Sequence, residues 1–176
     1  MFDVLADGVV ERVTVAPGEP VEAAGLRIEI FPVPGKAPLY LEGTVPAVGS
    51  ETGETAGVMI GRGERKLAYV PGCAQLSPDL LERLGKAEIL LFDGTVFADD
   101  EMIAAGVSSK TGRRMGHLPI AREGGSLAAL RGLPAKRKIF VHVNNTNPVL
   151  VEGSPERGAV EEAGFEVAHD GMEILL

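Results

Sequence analysis

The chain has three histidines, and two of them stand where a carboxylate could meet them. His142 lies near the end of an apolar run, Ile139, Phe140, Val141 and Val143. Asp93 follows directly on another, "EILLF", with Gly94 behind it to let the backbone turn sharply. His117 sits in "RRMGHLPI", where Gly116 and Pro119 argue for a loop. If the two apolar runs are neighbouring strands of one sheet, their ends converge and His117 can join them. Two histidines and one carboxylate form the ligand set of a non-haem iron site with open positions for oxygen and substrate. No fixed local spacing such as His-x-His links the three, so only the fold can assemble them. Each also has a plainer role. Asp93 could bond its own backbone in a turn, and His117 could be a loop histidine bonded to its neighbours. His169, beside the Asp170-Gly171 turn, reads as exposed. Cys73, in "YVPGCAQ", has no histidine or basic residue near it in sequence to activate the thiol, and it reads as a packed residue.

Beyond His142 the chain runs Asn144, Asn145, Thr146, Asn147 before Pro148. Polar side chains past the carboxyl end of a strand can converge on a ligand, or they can bond their own backbone in a turn. The basic run "SSKTGRRMGH" holds Lys110, Arg113 and Arg114. Most such runs are solvated loops. Guanidinium groups also grip carboxylates bidentately, and this run ends at His117, which favours a carboxylate-rich substrate.

The elements that must position these residues can be read from the pattern. Strands are expected at Arg12–Val15 and Leu26–Phe31, then at Ala56–Ile60 and Lys66–Val70, the last two joined as a hairpin through "GRGER". The segments "PVPGKAPLY" and "AVGSETGETAG" read as broken chain and exposed loop. From residue 71 helix and strand alternate. Ser77 and Pro78 start a helix that ends at Gly85, and the strand Glu88–Phe92 follows. A second helix runs from Asp99 or Asp100 to Ala105, and a third lies in "GSLAALRG". The strand Lys138–Val143 precedes a fourth helix, from Ser154 and Pro155 to Gly164. A hairpin with Asp170-Gly171 at its turn closes the chain. No linker or internal repeat divides residues 1–176, which read as a single α/β domain.

Composition narrows the class. The 23 glycines and 12 prolines show no period of three and indicate many turns. A net charge of −8 argues against non-specific nucleic-acid binding. One cysteine excludes an internal disulfide and any cysteine-rich zinc site. No secretory leader pattern or membrane-length apolar run is visible, so a cytoplasmic location without membrane association is expected.

The motifs "LLFDGTVFADDEMIAAGVSSKTGRRMGHLPI", "GSLAAL", "VHVNNTNPVL" and "SPERGAVEEAGFEVAHDGMEI" occur in order and resemble the carboxyl-terminal part of the pyrroloquinoline quinone (PQQ) biosynthesis protein B family, over roughly residues 20–176. The resemblance implies a metallo-β-lactamase-like αββα sandwich of two mixed sheets. It also implies a part in making the quinone cofactor: either hydroxylation of the tyrosine ring of a cross-linked glutamate–tyrosine precursor, using iron and dioxygen, or carriage of the cofactor or a precursor to the periplasm without chemistry. The family's Asp-x-Asp-His metal segment is absent from the 176 residues, so the chain is expected to lack the fold's amino-terminal part. Gly35 and Lys36 stand where metallo-hydrolase relatives have a histidine, and Gly72 and Cys73 where they have a bridging aspartate, which argues against a two-metal hydrolase. What survives by position is Asp93, His117 and His142 as metal ligands and catalytic residues. Lys110, Arg113, Arg114, Asn144 and Asn145 are the candidate substrate contacts. This chain alone is expected to hold iron weakly or not at all, to be inactive, and to associate as a dimer or larger assembly. Other PQQ biosynthesis proteins are possible partners.

Overall fold

The computed structural model describes residues 8–36, 48–51, 53–121 and 123–176. Strands β1 (Pro20–Ala23), β2 (Leu26–Pro32), β5 (Ala56–Arg62) and β6 (Arg65–Val70) form an antiparallel half-sheet. Strands β7 (Ile89–Asp93), β8 (Arg137–Val141) and β9 (Glu166–Val167) extend it in parallel, giving the order β1-β2-β5-β6-β7-β8-β9. A two-stranded ribbon, β3 (Gly35–Lys36) with β4 (Val48–Ser50), stands apart from this sheet. The helices are α1 (Pro78–Leu84), α2 (Glu101–Ala104), α3 (Gly112–Met115), α4 (Ser126–Leu130) and α5 (Pro155–Glu162).

The pleat sorts the strand residues onto two faces. On one, Phe31, Met59, Ala68, Val70, Leu90, Phe92, Phe140 and Val167 pack with Leu80 and Leu84 of α1, Leu130 of α4 and Val160 of α5 in a single core. Local chemistry fixes α1 and α5. Ser77 Oγ accepts from the Leu80 N–H and Ser154 Oγ from the Arg157 N–H, and each cap is followed by a proline at the first helical position. The opposite face carries two apolar rows in register across the strands: Ile28, Ile60, Leu67 and Ile89, then Ile30, Val58, Tyr69, Leu91 and Ile139. Ile89 and Ile139 are buried, whereas most of the others are only half-buried and Tyr69 is exposed.

Several expected elements differ. Residues 12–15 form no strand, and the sheet begins instead at β1. The terminal hairpin does not form: β9 pairs in parallel with β8, and after the turn closed by Met172 N–H to His169 O the chain continues without strand pairing. β8 stops at Val141, not Val143, because His142 adopts a left-handed backbone with φ 55°. α2 begins only at Glu101, whose Oε2 accepts from the Phe97 and Ala98 N–H groups in place of a cap from Asp100. The basic run contains the helical turn α3 where a loop is expected, and the supposed loop at residues 47–57 contains β4. Residues 37–40 of "PVPGKAPLY", and the first seven residues on which the leader reading rests, lie outside the described residues.

Candidate metal centre

The parallel strands deliver the chemistry at their carboxyl ends. Asp93 closes β7 and is fully buried. The exits of β7 and β8 are stitched together by backbone bonds from Gly94 N–H to Val141 O (2.8 Å) and from Asn144 N–H to Thr95 O (3.1 Å). Gly94 is needed here for close approach, not for a left-handed turn. A Cβ at this position would lie 2.8 Å from Phe140 Cβ, and its φ is not positive. Asn147, 2% exposed, completes the stitch: its amide donates to Gly94 O at 2.8 Å, and its Oδ1 accepts from the Val149 N–H. His117 arrives from α3. The Thr111 side chain caps that turn, Gly116 ends it at φ 92°, and Leu118 N–H binds Cys73 O at 2.7 Å, which ties the loop to the exit of β6.

Asp93 is the hub. Its Oδ2 accepts from the Cys73 N–H (2.9 Å) and from His117 Nδ1 (2.8 Å). Its Oδ1 accepts from the Thr95 N–H (3.0 Å) and from the Thr95 hydroxyl (2.6 Å). Thr95 Oγ1 also lies 3.0 Å from His117 Nδ1 and 2.8 Å from His142 Nδ1. The two imidazoles stack at 5.4 Å between centroids, 23° from parallel. Potential ligand atoms of Asp93, His117 and His142 all lie within 4.8 Å of one another. A carboxylate with two imidazoles is a donor set that suits zinc or ferrous iron, so the residues present fit a divalent transition metal. The His142 side chain is 54% exposed, leaving one side of the cluster accessible. Cys73 adds no thiolate: burial pushes its thiol up to about 12, and Sγ–H donates to Gln75 O.

Both plain and chemical roles are thus present in Asp93, which bonds its own turn through Thr95 N–H and also reaches His117. Asn144 donates to Thr146 Oγ1 at 2.6 Å, and Thr146 donates to Glu101 Oε1, so this asparagine anchors the loop to α2. Asn145 is exposed, as is His169. Lys110, Arg113 and Arg114 are exposed too, and among the described residues no ion pair engages the Arg113 or Arg114 guanidinium. Their backbone is what holds α3 in place, through Arg113 N–H to Asp99 Oδ1 and Arg114 N–H to Thr111 Oγ1. Sequence reasoning missed Thr95 as part of this cluster. The available signal was a hydroxyl two residues beyond the strand-terminal aspartate, a position from which it can return to the carboxylate.

Comparison with known proteins agrees with this picture. A family model described as Beta-lactamase superfamily domain matches residues 2–143. The chain is 57% identical over its whole length to coenzyme PQQ synthesis protein B of Methylobacterium nodulans, and 49% identical to that of Rhizobium meliloti. It spans 59% and 58% of those proteins' lengths. A crystal structure of zinc-bound PqqB from Methylobacterium extorquens superposes with a TM-score of 0.92 at 52% identity, over 99% of this chain and 59% of that one.

Proposed function

The chain belongs to the beta-lactamase superfamily, and we propose that the whole protein acts in pyrroloquinoline quinone biosynthesis as an iron- and oxygen-dependent hydroxylase of a carboxylate-rich, tyrosine-derived precursor. The observation that carries this reading is the convergence of Asp93, His117 and His142 at the carboxyl ends of β7 and β8. The names of the relatives, PQQ synthesis protein B, support the pathway, and the zinc-bound neighbour supports a metal. His142, His117 and Asp93 would hold the ion. Bound iron would supply dioxygen activation, the chemistry that places a hydroxyl oxygen on an aromatic ring.

The protein's own residues do the rest. Asp93, buried and held by four donors, fixes the His117 ring and keeps negative charge beside the cluster. His142 faces the accessible side, where a precursor can approach. Lys110, Arg113 and Arg114, on the segment that leads into His117, would supply cationic donors for its carboxylates; Asn144 and Asn145, just beyond His142 in sequence, are the further proposed contacts.

Oxygen consumption by the whole, iron-loaded protein tests the proposal. Uptake should appear only when both the cross-linked glutamate–tyrosine precursor and a two-electron reductant such as ascorbate are added, with one oxygen atom entering the ring in place of hydrogen and the other leaving as water. Tight precursor binding without uptake at any iron loading would overturn it and favour a carrier.

A further inference from the structure

Asp93 reaches His117 directly but not His142, whose Nδ1 is 4.0 Å from Oδ1. Between them stands Thr95, buried, with one hydroxyl proton and four polar neighbours: Asp93 Oδ1 at 2.6 Å, His142 Nδ1 at 2.8 Å, His117 Nδ1 at 3.0 Å and the His142 carbonyl at 3.1 Å. The proton goes to the charged and closest acceptor, the carboxylate. A hydroxyl oxygen then has two lone pairs and no proton left to give, so a ring nitrogen at 2.8 Å must itself donate. His117 needs no such relay, because Nδ1 faces a carboxylate that can only accept.

We propose that Thr95 is a positioning residue of this centre: its hydroxyl relays the buried carboxylate of Asp93 to His142 and holds that ring as the Nδ1–H tautomer, with Nε2 left as the metal-binding nitrogen. Among the described residues neither His117 Nε2 nor His142 Nε2 has a hydrogen-bond partner. All four hydrogen bonds to Asp93 fall on its two oxygens, whereas both Nε2 atoms are open. An ion on the two Nε2 atoms lies at the far ends of the rings from this carboxylate, so on this proposal Asp93 orients the imidazoles and the ligand set named above narrows to His117 and His142. His142 adopts a left-handed backbone, φ 55°, at this point, the kind of strained conformation that clusters at functional sites.

The zinc arm of the test rests on the metal-centre reading, and the tautomer arm does not. Two-bond proton–nitrogen correlation spectra of the isotope-labelled, metal-free chain, taken at about pH 8 where histidine is ordinarily neutral, should show both rings protonated at Nδ1. Thr95→Val, which keeps the shape and removes the relay, should move His142 toward the Nε2–H form and leave His117 unchanged, while Thr95→Ser restores the native pattern. Zinc affinity of the whole protein should fall about 10- to 100-fold in Thr95→Val and recover in Thr95→Ser. An Nε2–H His142 in the unmodified chain overturns the proposal, even if no variant folds. So does a Thr95→Val variant with unchanged tautomer and zinc affinity. Correct tautomers in a protein that binds no zinc would uphold the relay and count against the metal-centre reading instead.

Discussion

Arg113 and Arg114 show how a residue's role depends on which of its atoms is engaged. Their backbone N–H groups build α3, yet both side chains are exposed. Changing both to Gln should therefore weaken binding of the carboxylate-rich precursor several-fold or more, since each charge-assisted hydrogen bond lost is worth about 1.5–3 kcal/mol. Stability should move by no more than about 0.5 kcal/mol, as is usual for surface changes. Titration calorimetry and urea unfolding of the same variant separate the two effects, and lost stability with unchanged affinity would make the arginines structural. At this scale the sequence discloses residue types and scarcity, which is enough to single out Asp93, His117 and His142 in a chain with three histidines. It does not disclose hydrogen-bond partners. Thr95 meets His142 across 47 positions and Asn147 meets Thr95 O across 52, and no local pattern encodes either pairing.

Elements with local instructions are legible, and those decided by distant pairing are not. Ser77-Pro78 and Ser154-Pro155 announce α1 and α5 because cap and first turn are neighbours in sequence. The β5–β6 hairpin follows from its short turn in the same way. The end of β8 is different. Val143 continues the apolar run, but the left-handed His142 breaks the strand two residues earlier. The expected terminal hairpin is likewise absent: β9 pairs in parallel with β8, a strand distant in sequence with Ile139 opposite Glu166, and not with the residues after its own turn. Gly94 is the element-scale hinge of the account. Its added Cβ would meet Phe140 Cβ at 2.8 Å and Val141 O at 3.2 Å, atoms that cannot swing aside. Gly94→Ala should thus force β7 and β8 apart at their exits and cost about 1–3 kcal/mol in chemical denaturation, with weaker metal binding. An unchanged unfolding midpoint would show that the strands have slack.

Over the whole molecule, one sheet face is closed by α1, α4 and α5 and the other keeps its half-buried apolar rows from Ile28 to Ile139. Apolar area of this extent is normally covered by a second layer, and it is the surface on which the expected self-association of this chain would act. The same proportions bear on the centre. The chain spans 59% of the length of its Methylobacterium nodulans relative, so Asp93, His117 and His142 are proposed only as this chain's share of the site, and the activity proposed belongs to the whole protein. Among those residues His142 makes the sharpest commitment, because it is the most exposed of the three and its removal leaves the bonds from Asp93 to Cys73, Thr95 and His117 intact. Equilibrium dialysis of ferrous iron against the whole protein and its His142→Ala variant is the most direct test of the centre. The unmodified protein should retain iron, and the variant should lose it while its circular dichroism stays the same; equal iron content and affinity in the two would contradict the account.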